Sequence, residues 1–150
     1  MEREMDQAKQ DFINCKRIAV VGISRSDAKF GNMTFKELKS RGYDVIPVHH
    51  EMETFDGDRC YKQVSDISPK VEGVFINVTP GRVPEILQDA AGAGVKNIWL
   101  QQGSESAAAI ELGKVLGMSL ATHGCILMYA EPVKSFHSFH RWVWKLAKKY

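Results

Sequence analysis

Five short runs of the chain are apolar at nearly every position: RIAVVGI from Arg17, YDVIPV from Tyr43, VEGVFINV from Val71, KNIWLQ from Lys96 and MSLATH from Met118. Each has strand length. The lack of a regular polar alternate predicts burial on both faces, as in a parallel sheet covered by helices. Segments with helical spacing lie between most of them. Phe35 and Leu38 mark one, Ile86, Leu87, Ala90 and Ala91 the next, and Ala108, Leu112, Val115 and Leu116 the third. An amphipathic segment from about Arg3 to Asn14 precedes the first strand. Between DVIPV and EGVFI the periodicity fails, and a loop with a short turn around Tyr61 to Ile67 is expected. Pro84 followed by Glu85 suits a first helical turn, and Ser104 is the expected N-cap of the next helix. The pattern predicts an α/β fold: a doubly wound, Rossmann-like five-stranded parallel sheet with helices on both faces.

Composition narrows this picture. A chain of 150 residues, 44% hydrophobic, is the size of one domain with a core large enough to fold unaided. Cys15, Cys60 and Cys125 are widely spaced and lack metal-finger spacing, and the N-terminus MEREMDQAKQ is charged where a signal peptide would be apolar. A cytoplasmic protein with reduced thiols is expected. No apolar run approaches the roughly 20 residues that span a bilayer. The net charge of +2 is unevenly distributed, because Lys134, Arg141, Lys145, Lys148 and Lys149 put five positive charges and no acid into residues 134–150. Residues 1–133 are mildly acidic, which argues against nucleic acid as a partner.

In an open parallel sheet the ligand sits beyond the carboxyl ends of the strands. The loop after the first strand, GISRSDAKFGN, is therefore the first candidate. It is not the dinucleotide fingerprint G-x-G-x-x-G, since Gly22 is followed by Ser24 and Asp27 where glycines are needed. No G-K-[ST] follows, so it is not a P-loop. Ser26 replaces the last glycine of a nucleophile elbow, which leaves Ser24 as a loop hydroxyl rather than a nucleophile. What remains is a long loop with hydroxyls at Ser24 and Ser26, cations at Arg25 and Lys29, and Gly31 and Asn32 at the helix start. Such a loop suits a phosphate. The second strand ends in VIPVHH, without the Asp or Glu that binds the ribose hydroxyl of NAD. An end without a carboxylate would tolerate a ribose phosphate. Arg82, after the turn at Thr79 to Gly81, is a further candidate cation.

The ordered combination AVVGIS, AKFGN, ELKSRGYDVIPV, YKQVSDI, VEGVFINVTP, VPEILQDAAGAGVKNIWLQQGSES and HGCILM resembles the CoA-binding protein family. These are stand-alone Rossmann-type domains similar to the N-terminal domain of the succinyl-CoA synthetase alpha subunit. The resemblance covers about Lys16 to Met128. It implies a site for coenzyme A or an acyl-CoA, held by its adenosine-phosphate end. Gly22, Ser24, Arg25 and Lys29, with Asn32 at the helix start, would contact the pyrophosphate. Pro47, Val48 and His49, with Val78, Thr79 and Pro80, would line the adenosine side. Gln101 to Ser104, including Gly103, and His123 to Cys125 would form the far wall. The synthetase's phosphorylated histidine belongs to a domain this chain lacks, so binding without independent catalysis is expected. An NAD(P)-binding oxidoreductase-like domain and a CoA-sensing regulatory module remain the alternatives.

Two features stand apart. Cys125 beside His123 invites an activated-thiol reading, against that of a small buried residue at a strand end. A metal reading of His123, Cys125, His137 and His140 would need the tail to fold back, and no metal is expected. On a helical wheel Phe136, Phe139, Val143, Leu146, Ala147 and Tyr150 form one stripe opposite the five tail cations. A C-terminal amphipathic helix over 134–150, part of the same domain as residues 1–133, is expected to pack on the body. Joining two subunits as a homodimer and lying on an anionic surface are its other uses, and no stable membrane association is expected.

Overall fold

The computed structural model of the chain describes residues 2–26 and 29–130. Along the chain run α1 (Glu2–Ile13), β1 (Arg17–Val21), α2 (Phe30–Ser40), β2 (Asp44–Val48), a small hairpin of β3 (Thr54–Phe55) and β4 (Asp58–Arg59), and β5 (Gly73–Ile76). Then follow α3 (Val83–Gly92), β6 (Asn97–Leu100), α4 (Ala107–Val115) and β7 (Ser119–Ala121). Single 3-10 turns occupy Val64–Asp66, Pro80–Arg82 and Ile126–Met128. All five expected strands and the four helices before residue 130 form. The β3–β4 hairpin, in the stretch where periodicity failed, is an addition.

The main sheet has the order β2-β1-β5-β6-β7, parallel throughout. The chain first moves outward from β1 to β2, then crosses back to β5 and continues to the opposite edge. The winding therefore reverses between β1 and β5, the doubly wound arrangement whose reversal opens a crevice at the strand ends. Outside β2 a single parallel bridge joins Val48 to Tyr61. That bridge stands where a dinucleotide-binding sheet places its third strand, reduced here to one residue.

Alternate side chains of each strand go to opposite faces, and both faces are apolar. Ile18, Val20, Phe75 and Trp99 pack with Phe12 of α1 and Phe35 and Leu38 of α2. Ala19, Val21, Val74, Ile76, Ile98 and Leu100 pack with Val83, Leu87 and Ala90 of α3 and Ala109 of α4. Phe12 meets Trp99 edge to face, with ring centroids 5.7 Å apart. At the amino ends of the strands, Arg17 reaches the Asp44 carboxylate at 2.6 Å. Glu72 there accepts the N–H groups of Lys16 and Arg17 at 2.5 and 3.2 Å. Beyond β7, the buried Arg41 of the α2 end donates to the carbonyls of Leu127 and Ala130 at 3.1 and 2.7 Å. This holds the last described segment on the α1–α2 face.

At the carboxyl end of β1 the backbone is packed without room for side chains. A Cβ on Gly22 would collide with the Asn77 carbonyl after β5, and one on Gly31 would collide with the carbonyl of Gly22. The first turn of α2 thus rests directly on the strand end. The expected C-terminal helix, the domain division at residue 133, and His137 and His140 lie outside the described residues. Among the described residues no helix is long and apolar enough to cross a membrane.

Gly31→Ala is expected to destabilise the fold by about 2–3 kcal/mol through this overpacking, read as a lower urea midpoint. Gly92→Ala, in α3 with nothing within 4 Å of the new methyl, should be neutral or stabilise by up to about 1 kcal/mol. An unchanged midpoint for Gly31→Ala would contradict the close approach. The hydrogen bonds from Lys16 and Arg17 hold the Glu72 carboxyl below its ordinary value of 4.5. Its stabilising contribution is therefore complete above the ordinary value and is lost as pH falls through the lower folded-state value. The difference in urea midpoint between wild type and Glu72→Gln should accordingly be present at pH 7 and vanish in strong acid.

Candidate functional site

A cavity of about 240 Å³ opens beyond the carboxyl ends of β1 and β2. Its floor is Val21, Gly22 and Ile23, one wall is Val48 to His50, and the other wall is the start of α3 with Arg82, Glu85 and Ile86. Lys62 to Val64 close it from the segment after the hairpin. It therefore lies beside the reversal in strand order. Its volume is below the roughly 300–1,000 Å³ of a cleft that encloses a drug-sized ligand, so it suits one end of a nucleotide-sized molecule.

The loop from Gly22 to α2 is held by Asn32. This residue is 1% exposed, and its carboxamide faces back into the loop. Its Oδ1 accepts the Ser24 N–H at 2.8 Å, while Nδ2 donates to the carbonyls of Ser24 and Ser26 at 2.8 and 2.9 Å. Ser24 Oγ accepts the Ser26 N–H at 3.1 Å. Asn32 is thus a brace, and the hydroxyl of Ser24 also serves the loop. Arg25 and Lys29 project outward, Arg25 pairing with Glu51 at 3.1 Å.

The helix starts near the cavity differ from the one far from it. Among the described residues no side chain caps α2, which begins after Lys29, or α3, which begins after Arg82. In contrast, α4 is capped by Ser106, whose Oγ accepts the Ala109 N–H at 3.1 Å. Both starts carry the positive ends of their helix dipoles; the first turn of α2 keeps backbone donors with no intrahelical partner, whereas α3 continues a 3-10 turn in which the Arg82 and Val83 N–H groups already donate to the Thr79 and Pro80 carbonyls. Such starts attract an anion.

The end of β2 is a compact turn built on His49. Its Nδ1 accepts the N–H groups of Glu51 and Met52 at 3.0 and 3.1 Å, and its ring stacks on His50 with centroids 4.8 Å apart. Burial, then the neighbouring His50 and Arg25, push the His49 pKa down, with Glu51 opposing and Arg82 adding. Across the cavity, Asp89 of α3 accepts the Val64 N–H at 2.7 Å and the Ser65 N–H at 3.3 Å, fixing the segment after the hairpin. Arg82 pairs loosely with Glu85 at 3.8 Å.

The structure brings Gly22, Val48, His49, Val78 and Arg82 together in the cavity lining. Ser24, Arg25, Lys29 and Asn32 belong to the loop above its floor. Thr79 and Pro80 lead into the turn before α3 and are exposed. Pro47 is buried within β2, on the alternate of Val48. Gln101 and Gly103 lie after β6, outside the cavity lining. Gln101 is buried and accepts the Ile126 N–H at 3.3 Å, and the Gly103 N–H donates to Glu105 at 2.6 Å. Ser104 is not the helix cap. It is 1% exposed and its Oγ accepts the Val78 N–H at 3.0 Å, and the cap of α4 is Ser106, two residues later. His123 pairs with Glu105 at 3.8 Å, which turns it to the loop after β6. Lys62, Gln63, Glu85, Ile86 and Asp89 also line the cavity, although none of them was expected at the site. Helical spacing did place Ile86 on α3, and Glu85 and Asp89 are one and five residues on from Pro84.

The family model described as a CoA binding domain matches residues 16–131. An ADP-forming acetate–CoA ligase of Methanocaldococcus jannaschii is 30% identical over 81 residues, which is 54% of this chain and 12% of the ligase. The uncharacterized protein YneT of Bacillus subtilis is 24% identical over 120 residues, 80% of this chain and 89% of that protein. Among solved structures, a hypothetical protein from Pyrococcus horikoshii OT3 superposes with a TM-score of 0.76 at 29% identity, covering 82% of this chain and 87% of that one. The chain thus spans about an eighth of the ligase and nearly the full length of the small relatives. Because the match runs from the residue before β1 to the segment beyond β7, and the sheet has the fold of these neighbours, the chain belongs to the CoA binding domain family.

Proposed function

We propose that this chain binds coenzyme A or an acyl-CoA by its nucleotide end, at the cavity between β1, β2 and α3, and does so without catalysing a reaction of its own. The observation that carries this reading is the pair of uncapped helix starts beside the reversal in strand order, with α4 capped by its own Ser106. An anionic ligand would satisfy the open donors at the start of α2 and face the positive dipole end of α3. The pyrophosphate lies over Gly22, between the loop cations Arg25 and Lys29, while Ser24 and Asn32 keep the loop in shape. The adenosine portion enters between the β2 end at Val48 and His49, with Pro47 buried behind them, and the turn at Val78, Thr79 and Pro80. Arg82 supplies a third cation. Gln101 and Gly103 act at a distance, through the bonds that fix the loops after β6. The family supports the ligand class, and the missing acid at the end of β2 disfavours NAD.

A ligand that binds only the folded state raises its stability by RT ln(1 + [L]/Kd). Thermal melts with CoA, dephospho-CoA, NAD and NADP are expected to show a rise in Tm with CoA and a smaller one with dephospho-CoA. A clear shift with NAD and none with millimolar CoA would overturn the reading. Arg82→Ala removes a partly exposed cation and should weaken CoA binding about three- to tenfold, the worth of one charge-assisted contact in a wet site. Calorimetric titration measures it, and an unchanged affinity would remove Arg82 from the site.

A further inference from the structure

Dinucleotide sites place a carboxylate at the end of the second strand, where it accepts hydrogen bonds from ribose hydroxyls. His49 stands at that place here, and its surroundings reverse the polarity. Two backbone N–H groups, from Glu51 and Met52, point at Nδ1 at 3.0 and 3.1 Å. An amide N–H can only donate, so Nδ1 must present its lone pair. A neutral imidazole then carries its single hydrogen on Nε2. The neutral form is favoured by burial first, then by His50 and Arg25 and by Arg82 from the far wall, against the opposing charge of Glu51. Lys62, Glu85 and Asp89 are the other charged groups lining the same cavity. The ring plane is fixed as well, because His49 and His50 stack within 10° of parallel.

The second-strand end therefore offers a fixed, uncharged donor within electrostatic reach of two guanidinium groups. A ribose hydroxyl gains little from such a neighbourhood. A ribose phosphate has several acceptor oxygens and a negative charge, and it gains from both the donor and the cations. Resting on the CoA reading above, we propose that His49 is a specificity-determining residue: its Nε2–H, oriented by the turn at Glu51 and Met52, donates to a phosphate on the ligand's ribose. The site thereby prefers 3′-phosphorylated adenosine ligands to their dephosphorylated counterparts.

Two measurements test this. Long-range 15N–1H correlation spectra of the wild-type protein at pH 7.5 should show His49 as a neutral ring protonated on Nε2. A ring protonated on Nδ1, or charged at that pH, would overturn the proposal without any ligand. Calorimetric titrations then compare CoA with dephospho-CoA in wild type and His49→Asn. Asparagine can keep a side-chain acceptor for the turn but has no donor at the Nε2 position. The wild-type preference for CoA over dephospho-CoA should fall about tenfold in His49→Asn, the worth of a hydrogen bond to a charged group, on top of whatever affinity the two ligands lose in common. An unchanged preference, or an equal loss for both ligands, would refute the role of His49. If wild type binds neither ligand, the CoA reading fails. Adenosine 3′,5′-bisphosphate against AMP then decides the ribose-phosphate preference by itself: the bisphosphate must bind more tightly, and equal binding refutes it.

Discussion

The backbone contact at the end of β1 is the constraint on which the rest of the site depends. Gly22 touches the Asn77 carbonyl on one side and is itself overlaid by Gly31 on the other. Three segments of chain, the ends of β1 and β5 and the start of α2, thus meet with no side chain between them. In the dinucleotide fingerprint the last glycine allows this kind of helix-to-strand packing. Here Gly31 does that work four residues later than the fingerprint would place it. The longer loop carries two cations and is fastened from below by the buried carboxamide of Asn32. A longer loop needs an internal brace, because nothing in a Gly-rich turn of minimal length would otherwise hold it.

The same device recurs at each wall. Asn32 holds the loop after β1, Ser104 holds the one after β5 through the Val78 N–H, and Asp89 holds the segment after the hairpin through Val64 and Ser65. In each case a side chain from a neighbouring element satisfies a loop's backbone groups. The helices themselves receive no such help at α2 and α3. The polar side chains near the cavity are largely spent on shaping it. What is left to line the cavity is backbone, the cations Lys62 and Arg82, the Glu85 carboxylate and the imidazoles of His49 and His50.

The sheet, its parallel sense and both helical layers were legible because strands buried on two faces leave no polar alternate, and helices at 3.6-residue spacing lie between them. The β3–β4 hairpin was not, since two-residue strands carry no period, and the reduction of a third strand to Tyr61 leaves no apolar run to find. At the site, the loop after β1 and the end of β2 were legible from glycines, cations and a missing acid. Chemistry alone does not separate a residue that touches ligand from one that braces a loop. Asn32, Gln101 and Ser104 are of binding type, yet each turns inward onto backbone, and only the distances show it. Lys62, Glu85 and Asp89 stayed hidden for the opposite reason: they are ordinary surface types, Lys62 brought to the cavity by the bridge of Tyr61 to Val48 and the two acids by α3.

The division between braces and contacts also explains how a histidine can occupy the second-strand end. A carboxylate there would sit near Arg25 and Arg82 and would offset their charge. An imidazole with Nδ1 committed to its own turn adds no charge and removes none. It leaves the charges of Arg25 and Arg82 available to a ligand while still offering a directed hydrogen bond. Glu51, two residues on, carries the charge that the strand end itself lacks, and it is turned to Arg25 at the rim rather than into the cavity. The acid of the dinucleotide pattern has in effect been displaced outward, where it orients a cation in place of a ribose.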